Sequence, residues 1–255
     1  MGALHKALEP ELEKWAENHD GRQLMMVCPV GSFNYDCVIQ NSDLDMKAVY
    51  MPSLRDLFLD DNPKFALTSE QFDCELHPAQ HYLQHALKGN LNFFEPLFAR
   101  RRRIHPGFAA IVDGPLKRMV KMNVKSTVMG SHRFALQQRD KASARKETWG
   151  KSASHAIRIL VFLINLIESG EWELVPRPEF KTLILNLKQG RASYEEYFEI
   201  FTQLETVAAT LAFTDPEKRK FTDVVMDMDR TETTLWTTLE EEVYQRAMSI
   251  IREGM

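Results

Sequence analysis

The stretch VCPVGSFNYDCVIQNSDLDMKAVYMP, residues 27–52, decides the fold of this chain. An apolar run, QLMMVCPV, ends at a Gly-Ser pair, and Asp-Leu-Asp follows after ten intervening residues. The apolar run predicts a buried strand. The segment SDLDMKAVYMP alternates polar and apolar residues with a period of two, which predicts a second strand with one solvent-exposed face.

Four acidic residues in this part of the chain predict a metal site. Asp43 and Asp45 are two residues apart on one strand, so their carboxylates share a face and repel each other unless a cation lies between them. Asp73 and Glu75 repeat this spacing in SEQFDCELHP, and a strand there could bring a third carboxylate to the pair. Three carboxylates can hold two Mg²⁺ ions about 4 Å apart for phosphoryl transfer, with Mn²⁺ as the alternative metal.

Gly31 and Ser32 supply a candidate phosphate site beside these carboxylates. A glycine at a strand-to-helix turn lets backbone N–H groups approach an anion closely, and the serine hydroxyl adds a donor. Taken singly, a Gly-Ser pair is typical of an ordinary turn and an Asp-x-Asp of a solvated strand. Their conjunction favours nucleotide chemistry.

The stretch GSFNYDCVIQNSDLDMKAVY resembles the signature of the DNA polymerase β-like nucleotidyltransferase superfamily, in which Asp-x-Asp follows a Gly-Ser turn at short range. It is closer to a bacterial and phage group of predicted nucleotidyltransferases, whose motif reads like GSxxYG…SDxDxRGVY. LQHALKGNLNFFEPLF (83–98) and KSASHAIRILVFLINLIESGE (151–171) resemble further segments of that group. The resemblance therefore covers roughly residues 24–190. Asp36 departs from it by standing where the group has Gly, and Lys47-Ala48 replaces Arg-Gly.

The resemblance implies an acidic site built on a neighbouring strand as well as on the Asp pair. We expect the catalytic carboxylates to be Asp43, Asp45 and Glu75, with Asp73 as second choice for the third, and the metal ligands to be Asp43, Asp45 and Glu75. We expect the nucleotide to be bound by Gly31, Ser32, Tyr35 and Ser42.

The remaining periodicity predicts an α+β fold, because a strand-rich first third is followed by helices. We expect a nucleotidyltransferase core with a small mixed sheet and flanking helices in residues 1–108, and a mostly helical domain in 109–255 that closes the nucleotide cleft. Helices are predicted at 3–18, from 79 to a stop at Gly89, and at 93–100, 108–122, 126–140, 150–169, 178–188, 193–212 and 230–253.

One predicted helix carries a second set of candidate nucleotide-binding residues. Lys151, His155 and Arg158 fall at i, i+4 and i+7 and therefore share a helix face. Three potential cations on one face suit a triphosphate arriving across the cleft, with arginine making bidentate contacts. The alternative is an ordinary polar surface stripe.

The charge distribution favours an anionic partner. The net charge is −4, yet residues 100–158 hold fifteen Lys and Arg against three acidic residues. This basic region, with ARRRRIHP at its start, indicates contact with an RNA acceptor, and solvated helix faces are the alternative. His77, His81 and His85 recur at four-residue spacing, but Pro78 intervenes and no matching carboxylate follows, which disfavours zinc.

The three scattered cysteines indicate a reduced, cytoplasmic protein. No apolar run approaches the roughly 20 residues that a bilayer requires, so we expect no membrane partner. We expect a metal-dependent enzyme that transfers a nucleoside monophosphate from an NTP to an acceptor hydroxyl and releases pyrophosphate. RNA is the favoured acceptor, with a protein or a small molecule as alternatives. The rival hypotheses are an inactive nucleotide or nucleic-acid binder, and a toxin–antitoxin-type interaction protein with an acidic C-terminal region.

Overall fold

The computed structural model describes residues 2–19, 21–40, 42, 44–59, 63–70, 72–144 and 149–213. Asp43, the predicted helix 230–253 and most of the acidic C-terminal region lie outside the described residues. The strands are β1 (Gln23–Pro29), β2 (Leu44–Met51), β3 (Phe65–Thr68), β4 (Phe72–Pro78) and β5 (Arg103–Ile104).

Two helix predictions are wrong in part, because the predicted helix 108–122 is interrupted at Gly114, whose backbone is not helical, and the predicted helix 93–100 is a short α-helix followed by a 3₁₀ turn over Glu95–Phe98. The other described helices follow the predicted order. The described α-helices are α1 (Gly2–Asn18), α2 (Leu54–Leu59), α3 (Ala79–Leu87), α4 (Leu91–Phe94), α5 (Pro106–Ile111), α6 (Lys117–Met122), α7 (Val124–Ala144), α8 (Trp149–Ser169), α9 (Pro178–Lys188) and α10 (Tyr194–Phe213). The architecture is α+β, with a five-stranded mixed sheet, flanking helices and a helical C-terminal region, as the sequence predicts.

The sheet has the strand order β3-β4-β2-β1-β5, which makes β2 its central strand. β2 pairs antiparallel with β1 and parallel with β4, and β3 and β5 are edge strands. The pairing of β2 with β4 confirms the expectation that the Asp73–Glu75 strand lies beside the Asp45 strand. The short strands β3 and β5 were not predicted.

The two faces of the sheet are covered by different parts of the chain. Leu12 and Trp15 of α1 pack on one face, against residues such as Met46 and Tyr50 of β2. The helices that follow β4 bury the other face. Met25 of β1 and the buried residues of α8 belong to one apolar core on this side of the sheet. Side chains of β2 alternate between these faces, so Asp45 and Lys47 point towards the helical side.

The prediction that β2 has one solvent-exposed face is wrong, because Lys47 is only 5% exposed. The segment after α3 covers that face and supplies partners for the lysine. β4 does alternate as predicted from Phe72 to Leu76, although His77 is buried as well. α3 stops just before Gly89, as predicted, and the φ of +70° at Gly89 belongs to the left-handed region that favours glycine.

α8 is the central helix of the helical region and packs against α7, α9 and α10. Its high apolar content reflects this surrounding, since most of its residues from Ala153 to Ile167 are buried. Among the described helices, α8 alone has the length and apolar composition of a membrane span. Of its apolar 18-residue segment, 72% is buried inside the protein. The boundary predicted at residue 108 stays a prediction.

Candidate active site

A cavity of about 490 Å³ lies between the sheet and α8. β2 and β4 contribute acidic side chains to its lining, and α8 contributes His155 and Arg158. The ionisable lining residues are Asp45, Lys47, Asp73, Glu75, Glu95, His155 and Arg158. The structure therefore brings most of the predicted acidic residues and part of the predicted cationic helix face to one cavity.

Asp45 lies where the turn and the strands meet. In the parallel register of β2 and β4 it stands opposite Asp73, so the two carboxylates share one face of neighbouring strands. Gly31 adopts a φ of +61°, and a methyl group added there would lie 3.0 Å from Oδ2 of Asp45. Glycine at this position thus permits the close approach of the Gly-Ser turn to the carboxylate.

Glu75, the first choice for the third carboxylate, has protein partners in the structure. Its Oε2 lies 3.3 Å from Nε2 of His77 and 3.5 Å from Nζ of Lys47. The hydrogen bond from His77 and the charge of Lys47 outweigh burial and lower the pKa of Glu75 to about 2. Lys47 also donates to the carbonyl oxygen of Asn92, at 2.8 Å. Glu75 therefore balances the charge of a buried lysine.

Glu95 is a site residue that the sequence analysis missed. Its Oε1 accepts hydrogen bonds from the backbone N–H of Gly31 at 2.7 Å and from Nδ2 of Asn34 at 3.2 Å. Complete burial raises the pKa of Glu95, although the nearby charge of Arg158 opposes this rise. The N–H that was predicted to face phosphate therefore donates to an internal carboxylate. Glu95 belongs to the NLNFFEPLF part of the segment that resembles the nucleotidyltransferase group, and that was the available signal.

Lys188 at the end of α9 is a second residue that was missed. Its Nζ donates to Oγ of Ser32 at 2.7 Å, to the carbonyl oxygen of Cys37 at 2.9 Å and to Oγ of Ser42 at 3.1 Å. The helical region thus reaches both serines of the predicted nucleotide site. Lys181 precedes it by two helical turns on the same face of α9, and that spacing was the available signal.

Asp36 stands at a position where the resemblance leads one to expect glycine. Its φ is +54°, in the left-handed region, where aspartate is tolerated better than most residues. Its carboxylate forms an ion pair with Lys181. The added negative charge is therefore balanced by the helical region.

The predicted cationic face of α8 reaches the cavity through His155 and Arg158, while Lys151 is exposed. The guanidinium carbon of Arg158 lies 3.8 Å from the centroid of the buried Tyr35 ring, so this tyrosine supports the arginine. Burial, and then the charges of Arg158 and Lys151, lower the pKa of His155 well below its usual value. His155 is therefore neutral near pH 7 and does not act as a cation there.

Positive charge converges beside Asp45 even though His155 is neutral. Burial lowers the pKa of Lys188, the charges of Arg158 and Lys151 lower it further, and the charge of Asp45 acts in the opposite direction. Lys188 is therefore repelled by the α8 cations and attracted by Asp45. An anion between Lys188 and Arg158 would be stabilised by both charges.

Of the predicted metal ligands, Asp45 and Glu75 are described by the structure, and Asp43 lies outside the described residues. Within the described part of the chain, no group of three or more His, Cys, Asp or Glu side chains is arranged to hold a metal ion. Asp45 and Asp73 offer oxygen ligands of the kind that Mg²⁺ prefers. A complete site therefore requires at least one further ligand.

The basic region is partly balanced by acidic residues of the chain itself. Arg100 pairs with Glu173 at 3.0 Å, and Arg102 pairs with Asp113. These contacts account for two of the four consecutive arginines. The role of the region in RNA binding stays a prediction.

Comparisons with protein-family models and with curated proteins find no match to this chain.

Proposed function

We propose that the protein is a metal-dependent nucleotidyltransferase that transfers a nucleoside monophosphate from an NTP to an acceptor hydroxyl. One observation carries the proposal: Asp45 is next to the Gly-Ser turn at Gly31 and opposite Asp73 on the neighbouring strand, at the wall of a cavity. This arrangement supports the proposal because a carboxylate pair that can bind metal lies beside the turn to which we assign phosphate binding.

Asp45, Asp73 and Asp43 are the proposed metal ligands. The contribution of Asp43 rests on the Asp-x-Asp sequence pattern. Asp73 is preferred to Glu75 as third carboxylate because Glu75 already contacts Lys47 and His77. Bound Mg²⁺ would supply charge neutralisation at the phosphates and would lower the pKa of the acceptor hydroxyl.

The triphosphate is proposed to bind where the turn meets α9. Lys188, with Ser32 and Ser42 on either side, supplies a cation and two hydroxyl donors within hydrogen-bond distance of one another. Arg158, held over the Tyr35 ring, supplies a second cation at the cavity wall. These groups would exchange internal hydrogen bonds for bonds to β- and γ-phosphate oxygens, and the cations would then face an acceptor that is itself charged.

The proposed step is an in-line displacement at the α-phosphorus. The acceptor oxygen forms a bond to phosphorus while the bond to the bridging β-phosphate oxygen breaks, and pyrophosphate leaves. The proton of the hydroxyl passes to a carboxylate of the aspartate group. Most of the acceleration would come from positioning and electrostatic stabilisation of the transferring group.

A non-catalytic nucleotide or nucleic-acid binder is the second candidate, and one observation favours it. The Gly31 N–H and both serine hydroxyls already have internal partners, namely Glu95 and Lys188. A protein that bound NTP without turnover would keep these bonds and leave Asp73 without a role.

The test compares variants in a transfer assay with each α-labelled NTP, Mg²⁺ or Mn²⁺, and RNA, protein or small-molecule acceptors. Asp45→Asn and Asp73→Asn should each reduce transfer by about a hundredfold or more, because loss of a ligand should exceed the roughly 10- to 100-fold cost of losing only a ligand's hydrogen-bond partner. Glu75→Gln, two residues along the same strand, is the matched control and should retain more activity than Asp73→Asn. NTP binding by the wild type with no transfer to any acceptor would favour the non-catalytic candidate.

A further inference from the structure

Glu95 is a buried carboxylate at the cavity wall that takes no part in the proposed step of transfer. It is 4% exposed, and its Oε1 accepts a hydrogen bond from the backbone N–H of Gly31 at 2.7 Å. The same oxygen accepts a second hydrogen bond, from Nδ2 of Asn34 at 3.2 Å. One carboxylate oxygen therefore joins the beginning and the end of the Gly-Ser turn.

The Gly-Ser turn is in turn placed against two groups of the proposed site. The N–H of Val30 donates to the carbonyl oxygen of Asp45 at 2.9 Å, and a methyl group at Gly31 would lie 3.0 Å from Oδ2 of Asp45. The N–H of Tyr35 donates to the carbonyl oxygen of Gly31 at 3.2 Å, and the Tyr35 ring lies under the guanidinium of Arg158. A shift of the turn would therefore disturb a proposed metal ligand and a proposed phosphate cation together.

Glu95 is itself held in place by the segment that carries it. The neighbouring Phe94 and Leu97 are 0% and 1% exposed and anchor this segment in the apolar core. The carbonyl oxygen of Asn92 accepts a hydrogen bond from Nζ of Lys47 at 2.8 Å, which ties the same segment to β2. Packing and hydrogen bonds of this kind lock a side chain so that it can orient another group.

The hydrogen bonds of Glu95 require an acceptor atom at a fixed reach, and they do not require a carboxylate as such. Both donors bond to Oε1, so the side-chain amide oxygen of glutamine could accept the same two bonds. Aspartate would keep the negative charge, but it is shorter by one methylene group. A metal ligand or general base has the opposite requirement, because its charge or its basicity is what the reaction uses.

We propose that Glu95 is a positioning residue for nucleotidyl transfer, which holds the Gly-Ser turn in the place relative to Asp45 that the reaction requires. It acts through its hydrogen bonds to Gly31 and Asn34 and does not itself bind the metal or take the proton. The inference rests on the proposed function. It assigns the Gly31 N–H to the internal support of the site, while the side chains of Ser32 and Lys188 remain for phosphate.

The test compares Glu95→Gln with Glu95→Asp in the transfer assay with α-labelled NTP. Glu95→Gln should retain most of the wild-type kcat. Glu95→Asp should lower kcat by about tenfold or more, because small misplacements of reacting groups reduce rates steeply. Glu95→Asp with a kcat equal to or above that of Glu95→Gln would overturn the inference and indicate a role for the charge.

A control variant separates positioning from a general loss of stability. Phe201→Leu shrinks a buried side chain of α10 outside the cavity lining and should lower stability in urea unfolding without lowering kcat. An equal loss of kcat in Phe201→Leu and Glu95→Asp at matched stability would contradict a positioning role. If Glu95→Asp does not fold, Asn34→Ala removes one of the two donors and should lower kcat by about threefold or more. In that case an unchanged kcat would overturn the inference.

Hydrogen exchange of the Gly31 amide, followed by NMR in the unliganded protein, tests the same contact without turnover. Exchange should be about tenfold or more faster in Glu95→Asp and near the wild-type rate in Glu95→Gln. A wild-type rate in Glu95→Asp would overturn the inference. Absence of transfer by the wild type, with the expected order of exchange rates, would refute the proposed function while supporting the hold of Glu95 on the turn. Transfer by the wild type with Glu95→Asp at least as active as Glu95→Gln would do the reverse.

Discussion

Replacement of Gly31 by alanine tests whether the close approach of the turn to Asp45 serves catalysis. The new methyl group would lie 3.0 Å from Oδ2 of Asp45, so the carboxylate must move by a few tenths of an ångström. The left-handed φ of +61° adds a backbone cost of about 1–2 kcal/mol for a residue with a Cβ. We expect Gly31→Ala to lose that stability and to lower kcat by about tenfold or more, because small misplacements of reacting groups reduce rates steeply.

Gly170→Ala is the matched control. Gly170 has a φ of +71°, and a methyl group there would meet no atom within 4 Å. Both variants should therefore lose about 1–2 kcal/mol in urea unfolding, while only Gly31→Ala should lose transfer activity. Equal activity in the two variants at matched stability would refute the assignment of Gly31 as the residue that lets the turn approach Asp45.

Three further predictions concern other parts of the site. Lys188→Met should raise the KM for NTP by about tenfold or more, because a charge-assisted phosphate contact is lost. Lys181→Met removes the partner of the exposed Asp36 and should leave KM nearly unchanged. Equal effects of the two variants on KM would contradict the assignment of Lys188 to phosphate binding. The lowered pKa of Glu75 contributes stability above pH 4.5, and this stability is lost as the pH falls towards 2. Glu75→Gln should therefore flatten the acid side of a plot of unfolding free energy against pH. An unchanged plot would contradict the stabilising role of the Glu75 carboxylate. The raised pKa of Glu95 has the opposite effect on stability, which should fall as the pH rises from 4.5 through the folded-state pKa of Glu95. Glu95→Gln keeps an acceptor for the Gly31 N–H, so it should gain stability relative to wild type over that pH range in urea titrations. A difference in unfolding free energy that stays constant with pH would oppose this account.

The local patterns of the sequence were sufficient for the main elements. The apolar run before Gly31 forms β1, and the alternation from Phe72 to Leu76 forms half-exposed β4. The two acidic strands lie side by side as predicted, whereas their parallel pairing and the register that places Asp73 opposite Asp45 were not predicted. Such patterns report the local backbone and the burial of one face, which determine element type.

Long-range contacts could not be predicted in the same way. Lys47 is buried because the segment around Asn92 and Phe93 folds over it, and no local pattern distinguishes it from a solvated lysine. Lys188 reaches Ser32 across 156 positions of the chain, and Glu95 reaches Gly31 across 64. Tertiary packing selects these partners.

The most direct test of the central claim follows both ends of the NTP in one reaction. The protein, Mg²⁺, RNA and an NTP labelled on the α- or γ-phosphate would be incubated, and labelled RNA and pyrophosphate would be quantified over time. Nucleotidyl transfer predicts α-label in RNA, equimolar pyrophosphate, no γ-label in RNA, and loss of all products in Asp45→Asn. Transfer of the γ-label, or release of inorganic phosphate without labelled RNA, would contradict it.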